Sequence, residues 1–160
     1  MYQAALNRYA AYLAQEYLTG AACDVLALLE QPLAETEKKT FISARIGQGT
    51  FRQSLFQHWQ GCAVTGYNDP RFLVASHIKP WRLASNVERL DQYNGLLLLP
   101  NLDRAFDSGL ISFTDTGKVM LSSFLSEPAC LGISSDMQIK LQEPHLPYLH
   151  FHQERVFQGF

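Results

Sequence analysis

Apolar positions along the chain change period several times, and each change predicts an element. Tyr2, Leu6, Tyr9, Leu13 and Tyr17 recur at spacings of three and four, which predicts an amphipathic helix with an aromatic face, ended by Thr19-Gly20. CDVLALLEQP reads as a second short helix with Asp24 as N-cap and Pro32 as stop. In ARIGQGTFRQSLFQHW, Gly47 and Gly49 predict a loop. Thr50 and Gln53 then have capping-box spacing, and Phe51, Leu55 and Trp59 share a helical face. GCAVTG and RFLVASHI, separated by YNDP, predict a strand, a turn and a strand ending at His77, where Pro80 breaks the ladder.

Residues 81–93 are polar and aperiodic, the pattern of a loop or an irregular helix. NGLLLLPNLDRAFDSG then predicts a turn at Asn94-Gly95, a strand of leucines, and a short helix from Pro100 to Asp107 closed by Gly109, with Leu102 and Phe106 inward. LISFTDTGKVMLSS predicts a hairpin turning at Asp115 to Gly117. In the tail, MQIKLQ suits a strand, and a strand at LPYLHFHQERVF would set His150 and His152 on one face. The fold class expected is α+β.

A length of 160 residues suits a single compact domain. No apolar run approaches the roughly 20 residues that span a bilayer, and the N-terminus lacks the pattern of a secretory signal, so a cytoplasmic protein is expected. Cys23, Cys62 and Cys130 lie far apart without a CxxC pair, which points away from a disulfide framework and a cysteine-based zinc knuckle. The net charge of −2 argues against a nucleic-acid partner, but its distribution does not. Residues 1–37 carry −4, residues 38–104 carry +5 and residues 105–160 carry −3, so the positive block contains His77.

Asp103 and Asp107 are four apart and share a helix face, where two carboxylates can meet one cation. A histidine facing such a pair is the minimum kit for metal-assisted hydrolysis, the cation neutralising charge and the imidazole taking a proton from water. Taken singly, each part has a plainer reading. A histidine on an apolar strand is most often packed in a core, and an aspartate pair on a surface helix is most often only solvated.

In combination, SHIKPW, NGLLL and LDRAFDSGLISF resemble the HNH endonuclease family, whose core is the ββα-metal finger, in the branch found in restriction-type endonucleases. The resemblance spans roughly residues 45–125. The first 45 residues have no counterpart in it; with the helices their own pattern predicts, the expected architecture is N-terminal helices packed on that finger with an additional hairpin, a helical segment at 1–44, a nuclease core at 45–125 and a closing segment at 126–160. The resemblance implies His77 as general base, Asn94 as brace of the loop that holds it, and Asp103 as metal ligand, with Asp107 a second ligand or its support. Ser76 stands where many relatives carry a metal-binding Asp or His, and the cysteine pairs of other members are absent. Oxygen donors favour Mg²⁺ or Mn²⁺ over Zn²⁺. The implied reaction is hydrolysis of DNA in restriction, phage-defence or mobile-element biology, with Lys79, Arg104, Arg52 and Arg45 as phosphate contacts and Pro80-Trp81 packed beneath the base. Expected partners besides DNA are a second copy through the aromatic helix, or a specificity or immunity protein, and no membrane. The rival readings are a nonenzymatic DNA-binding or interaction module that retains the finger, and a nuclease toxin domain.

Overall fold

The computed structural model describes residues 35–159, with side chains described from residue 43 onward except at 45 and 46. The helices expected over 2–17 and 23–32, and the side chain of Arg45, lie outside the described residues. The chain divides into two compact units, Met1–Thr50 and Phe51–Phe160. The first is described only over 35–50, as helix. The second carries the mixed helix and strand of an α+β fold, built around a ββα finger.

Helix α1 runs Glu35–Trp59. The loop and capping box expected at 47–53 are therefore absent, and both glycines lie within a helix. Each glycine costs about 1 kcal/mol relative to alanine. Burying Phe51 and Leu55 contributes roughly 1.5–3 kcal/mol apiece and fixes a helical nucleus from which each further residue adds a hydrogen bond.

The expected strand at GCAVTG is a turn instead. Gly66 takes φ of +74°, its N–H donates to the Cys62 carbonyl at 2.8 Å, and the Cys62 N–H donates to the Tyr67 carbonyl at 2.7 Å. The positive φ, open to glycine without strain, overrides the β-branched composition. The Ala63 N–H reaches the Leu97 carbonyl at 2.7 Å, which ties the turn to the sheet.

Strands β1 (Val74–His77) and β2 (Gly95–Leu98) pair antiparallel, with Ser76 opposite Leu96 and His77 opposite Gly95. All four residues of β2 are buried. Gly95 lies hard against α1, since a Cβ there would stand 2.5 Å from Phe51 Cζ and 2.8 Å from Leu55 Cδ2. Trp59 Nε1 donates to the Gly95 carbonyl at 3.1 Å. Helix α2 (Pro100–Asp107) packs on β1 and buries Leu102, Ala105 and Phe106. The hairpin of β3 (Ile111–Phe113) and β4 (Val119–Leu121) turns through Gly117. The MQIKLQ stretch adds only an isolated bridge, Lys118 to Gln138.

The tail ends in helix α3 (Leu146–Arg155). The expectation of a strand here fails because Pro147 sits in the first turn, where its missing N–H is not needed, and because Leu149 and His152 are buried at helical spacing. His150 is exposed beside Asp115, whereas His152 is buried between Ser112 and the Phe106 carbonyl, so the two do not share a face. His152 Nε2–H must be the donor to that carbonyl at 3.1 Å, which leaves Nδ1 to accept from the Ser112 hydroxyl at 3.0 Å. Burial holds its pKa down to about 4. No helix among the described residues is long and apolar enough to cross a membrane.

Candidate active site

His77 occupies the last position of β1, beyond which Pro80 ends the ladder. Its ring stacks on Phe51 with centroids 3.8 Å apart and 13° between planes. Trp81 meets it edge-on at 5.3 Å. His77 Nε2 lies 3.0 Å from the Arg89 carbonyl. A carbonyl can only accept, so Nε2 carries the proton and Nδ1 keeps its lone pair. Burial pushes the pKa below the ordinary 6.5, against the opposing pull of that hydrogen bond. The imidazole is therefore neutral near pH 7 and able to take a proton.

Asn94 is fully buried at the end of the 3₁₀ turn Gln92–Asn94. Its Oδ1 accepts from the Lys79 N–H at 2.8 Å and its Nδ2 donates to the Glu88 carbonyl at 2.9 Å. The Ile78 N–H donates to the Asn94 carbonyl at 3.0 Å. One side chain thus joins the exit of β1 to residue 88, immediately before the carbonyl that holds His77.

Asp103 is half-buried on the first turn of α2 and Asp107 is exposed one turn on. Burial raises the Asp103 pKa, the Asp107 charge adds to the rise, and the Ser76 hydroxyl donating to Asp103 opposes it. Ser76, itself buried, thus faces the carboxylate from the strand that ends in His77. Among the described residues no group of three or more His, Cys, Asp or Glu converges as a metal cage. A hard oxygen from one carboxylate, with the remaining ligands left to water and substrate phosphate, suits Mg²⁺ or Mn²⁺ and fits Zn²⁺ poorly.

Among the described residues of the basic block, Arg52, Arg71, Lys79 and Arg89 are engaged within the fold. Arg52 donates to the Leu73 and Pro70 carbonyls, both at 2.7 Å, and lies over the Phe56 ring, so it clamps the turn before β1. Lys79 pairs with both oxygens of Glu88, at 2.7 and 2.9 Å, and lies 5.2 Å from the Phe151 ring centroid. The Lys79 ammonium holds Glu88 down to about 2. Arg89 stacks over Trp81, and Arg71 pairs with Asp69. Arg104 is exposed beside Asp103, and Arg82, which sequence reasoning passed over, is exposed on the loop after Trp81. The Phe51 stack, the Arg89 carbonyl and the Glu88 partner of Lys79 also escaped it. Of these, only Phe51 left a trace in the sequence, as part of a helical face.

Two antiparallel strands followed by a helix, with a histidine at a strand end and a carboxylate on the helix, make a ββα finger. Residues 62–114, which run from the turn through β1, β2 and α2 to the end of β3, match the family model for HNH endonuclease. No curated protein matches the chain.

Proposed function

We propose that this finger belongs to a metal-dependent endonuclease that hydrolyses DNA phosphodiester bonds, with His77 as general base. The observation that carries the reading is the Nε2 contact to the Arg89 carbonyl, which fixes the tautomer and leaves a neutral Nδ1 to receive a proton. In the reaction, water gives a proton to Nδ1 as its oxygen attacks phosphorus in line, and the bond to the 3′ oxygen breaks, that oxygen taking a proton from solvent water, which leaves 5′-phosphate and 3′-hydroxyl ends. Asp103 is the group to hold a divalent cation, and Asp107, exposed one turn away, adds a second negative charge nearby. Such a cation, when bound, neutralises charge on the phosphate and the leaving oxygen. Asn94 keeps the loop registered on β1. Arg104 and Arg82 are the guanidinium groups available to the backbone, while Lys79 and Arg52 act through their internal bonds.

Restriction, phage defence or mobile-element biology suits a nuclease of this kind, and a partner protein or a second copy is a candidate to share in target choice. The alternative is a finger that binds DNA without cutting it, in which Ser76 stands before the histidine where a metal ligand is expected. Plasmid nicking in Mg²⁺ and in Mn²⁺ separates the two readings when wild type is compared with His77→Ala. Loss of nicking with DNA binding retained supports the nuclease. Equal activity in both proteins removes His77 as the base, and retention of DNA by an inert wild type supports the binding module.

A further inference from the structure

The loop that carries the Arg89 carbonyl is tied by hydrogen bonds of its own, from the Ser85 N–H to the Glu88 carboxylate, from the Arg89 guanidinium to the Trp81 carbonyl and from Asn94 to the Glu88 carbonyl. Between Trp81 and Asp91 it forms only turns, and Leu83, Val87 and Leu90 project into solvent, Val87 with 81% of its surface exposed. To these bonds α3, beyond the segment that matches the HNH family, adds two further anchors.

The first anchor is Tyr148, whose hydroxyl donates to Asp91 Oδ2 at 2.7 Å. The other oxygen of Asp91 accepts from the Tyr93 N–H at 2.9 Å, and its carbonyl accepts from the Asn94 N–H at 2.9 Å. Asp91 thus caps the turn that presents Asn94, whose Nδ2 holds the Glu88 carbonyl one residue before the His77 contact. The second anchor is Phe151, three residues on, against which the Lys79 ammonium rests while paired to Glu88. Spacing of three puts both residues on one face of α3. Burial first, and the hydrogen bond to Asp91 second, hold the Tyr148 phenol above its ordinary range, so it remains a donor at any working pH.

We propose that Tyr148 is a positioning residue for His77, acting through Asp91 and the 88–94 loop. The inference rests on the reading of His77 as base. The C-terminal helix is then part of the active site, although it supplies no group to the reacting atoms.

The test uses the full chain and the variants Tyr148→Phe, Asp91→Asn and their combination, with His77→Ala as control. Tyr148→Phe should lower kcat for plasmid nicking about 10-fold, the equivalent of one hydrogen bond, with KM for DNA unchanged. The double variant should lose no more than Asp91→Asn alone, because both substitutions break one link. Nitrogen-15 NMR of the histidines gives a readout that needs no turnover. The Nε2-protonated form of His77 should dominate in the wild type and mix with the other tautomer in Tyr148→Phe.

An unchanged kcat and tautomer in Tyr148→Phe, with His77→Ala inert, would overturn the inference alone. Equal activity of His77→Ala and wild type would overturn the reading beneath it. Losses that add in the double variant, or a fall in kcat matched by an equal loss of folded protein, would reduce Tyr148 to a structural contact. Should Tyr148→Phe fail to fold, Asp91→Asn with the tautomer readout decides the matter in the same way.

Discussion

His77 and Arg89, twelve residues apart, are joined by a hydrogen bond from the imidazole Nε2 to a main-chain carbonyl at 3.0 Å. The orientation of the candidate base is thus set by the backbone of a loop, and its protonation by burial against Phe51 and Trp81.

The lowered pKa of His77 predicts where activity is lost in acid. A base works when deprotonated, so kcat/KM should rise with pH through a midpoint below 6.5 and reach its plateau before neutrality. A pH profile measured at saturating Mg²⁺ checks this. An acidic limb centred at 7 or above would rule out His77 in its present setting.

Asp103 and Asp107 are expected to separate. Asp103→Ala should weaken Mn²⁺ binding by about 100-fold or more, since even a ligand's hydrogen-bond partner is worth roughly 10–100-fold. Asp107→Ala, removing an exposed charge, should change it within about 3-fold. Titration calorimetry or Mn²⁺ spin resonance reads both. Equal effects would mean that the exposed aspartate is a full ligand.

Asn94→Ala removes a buried side chain with partners on both sides of the loop, leaving the Lys79 N–H and the Glu88 carbonyl unpaired. Unfolding in urea should show a loss of about 3 kcal/mol, at roughly 1–3 kcal/mol for each orphaned group. A loss under 1 kcal/mol would show that water replaces the brace.

Gly95→Ala should destabilise by about 1–3 kcal/mol through overpacking, because the added methyl meets the Phe51 ring and Leu55. The Phe51 ring also stacks on His77, so nicking should fall with it. Thermal melting and nicking of the same preparation test the pair of effects, and a variant as stable as the wild type would contradict the close approach of α1 to β2.

Stability itself should fall in mild acid. His152 is neutral and buried, with its pKa held near 4 against about 6.5 when unfolded, so the unfolded chain binds the proton more readily. Its contribution is fully present above pH 6.5 and declines as pH falls towards 4, by about 3 kcal/mol in all. His152→Gln should flatten that part of the stability profile measured by denaturant titration. A slope unchanged in the variant would assign the acid sensitivity to other groups.

Local signals in the sequence determined the finger. A proline after His77, an Asn-Gly step before four leucines, a proline-started helix with Leu102 and Phe106 inward, and the turn of the second hairpin each act within a few residues, and each lies where its pattern predicts. Tertiary structure decided the rest, because the deciding contacts join distant positions. Packing of Phe51 and Leu55 on β2 carries α1 through two glycines, and burial of Leu149 and His152 makes a helix of a stretch that alternates like a strand. The bonds of Lys79 to Glu88 and of Arg52 to two carbonyls likewise join positions far apart in sequence. The link from Tyr148 to Asp91 spans 57 residues and runs through a turn and a carbonyl to His77. Main-chain acceptors exist at every position, so no residue type marks the one that a fold will use.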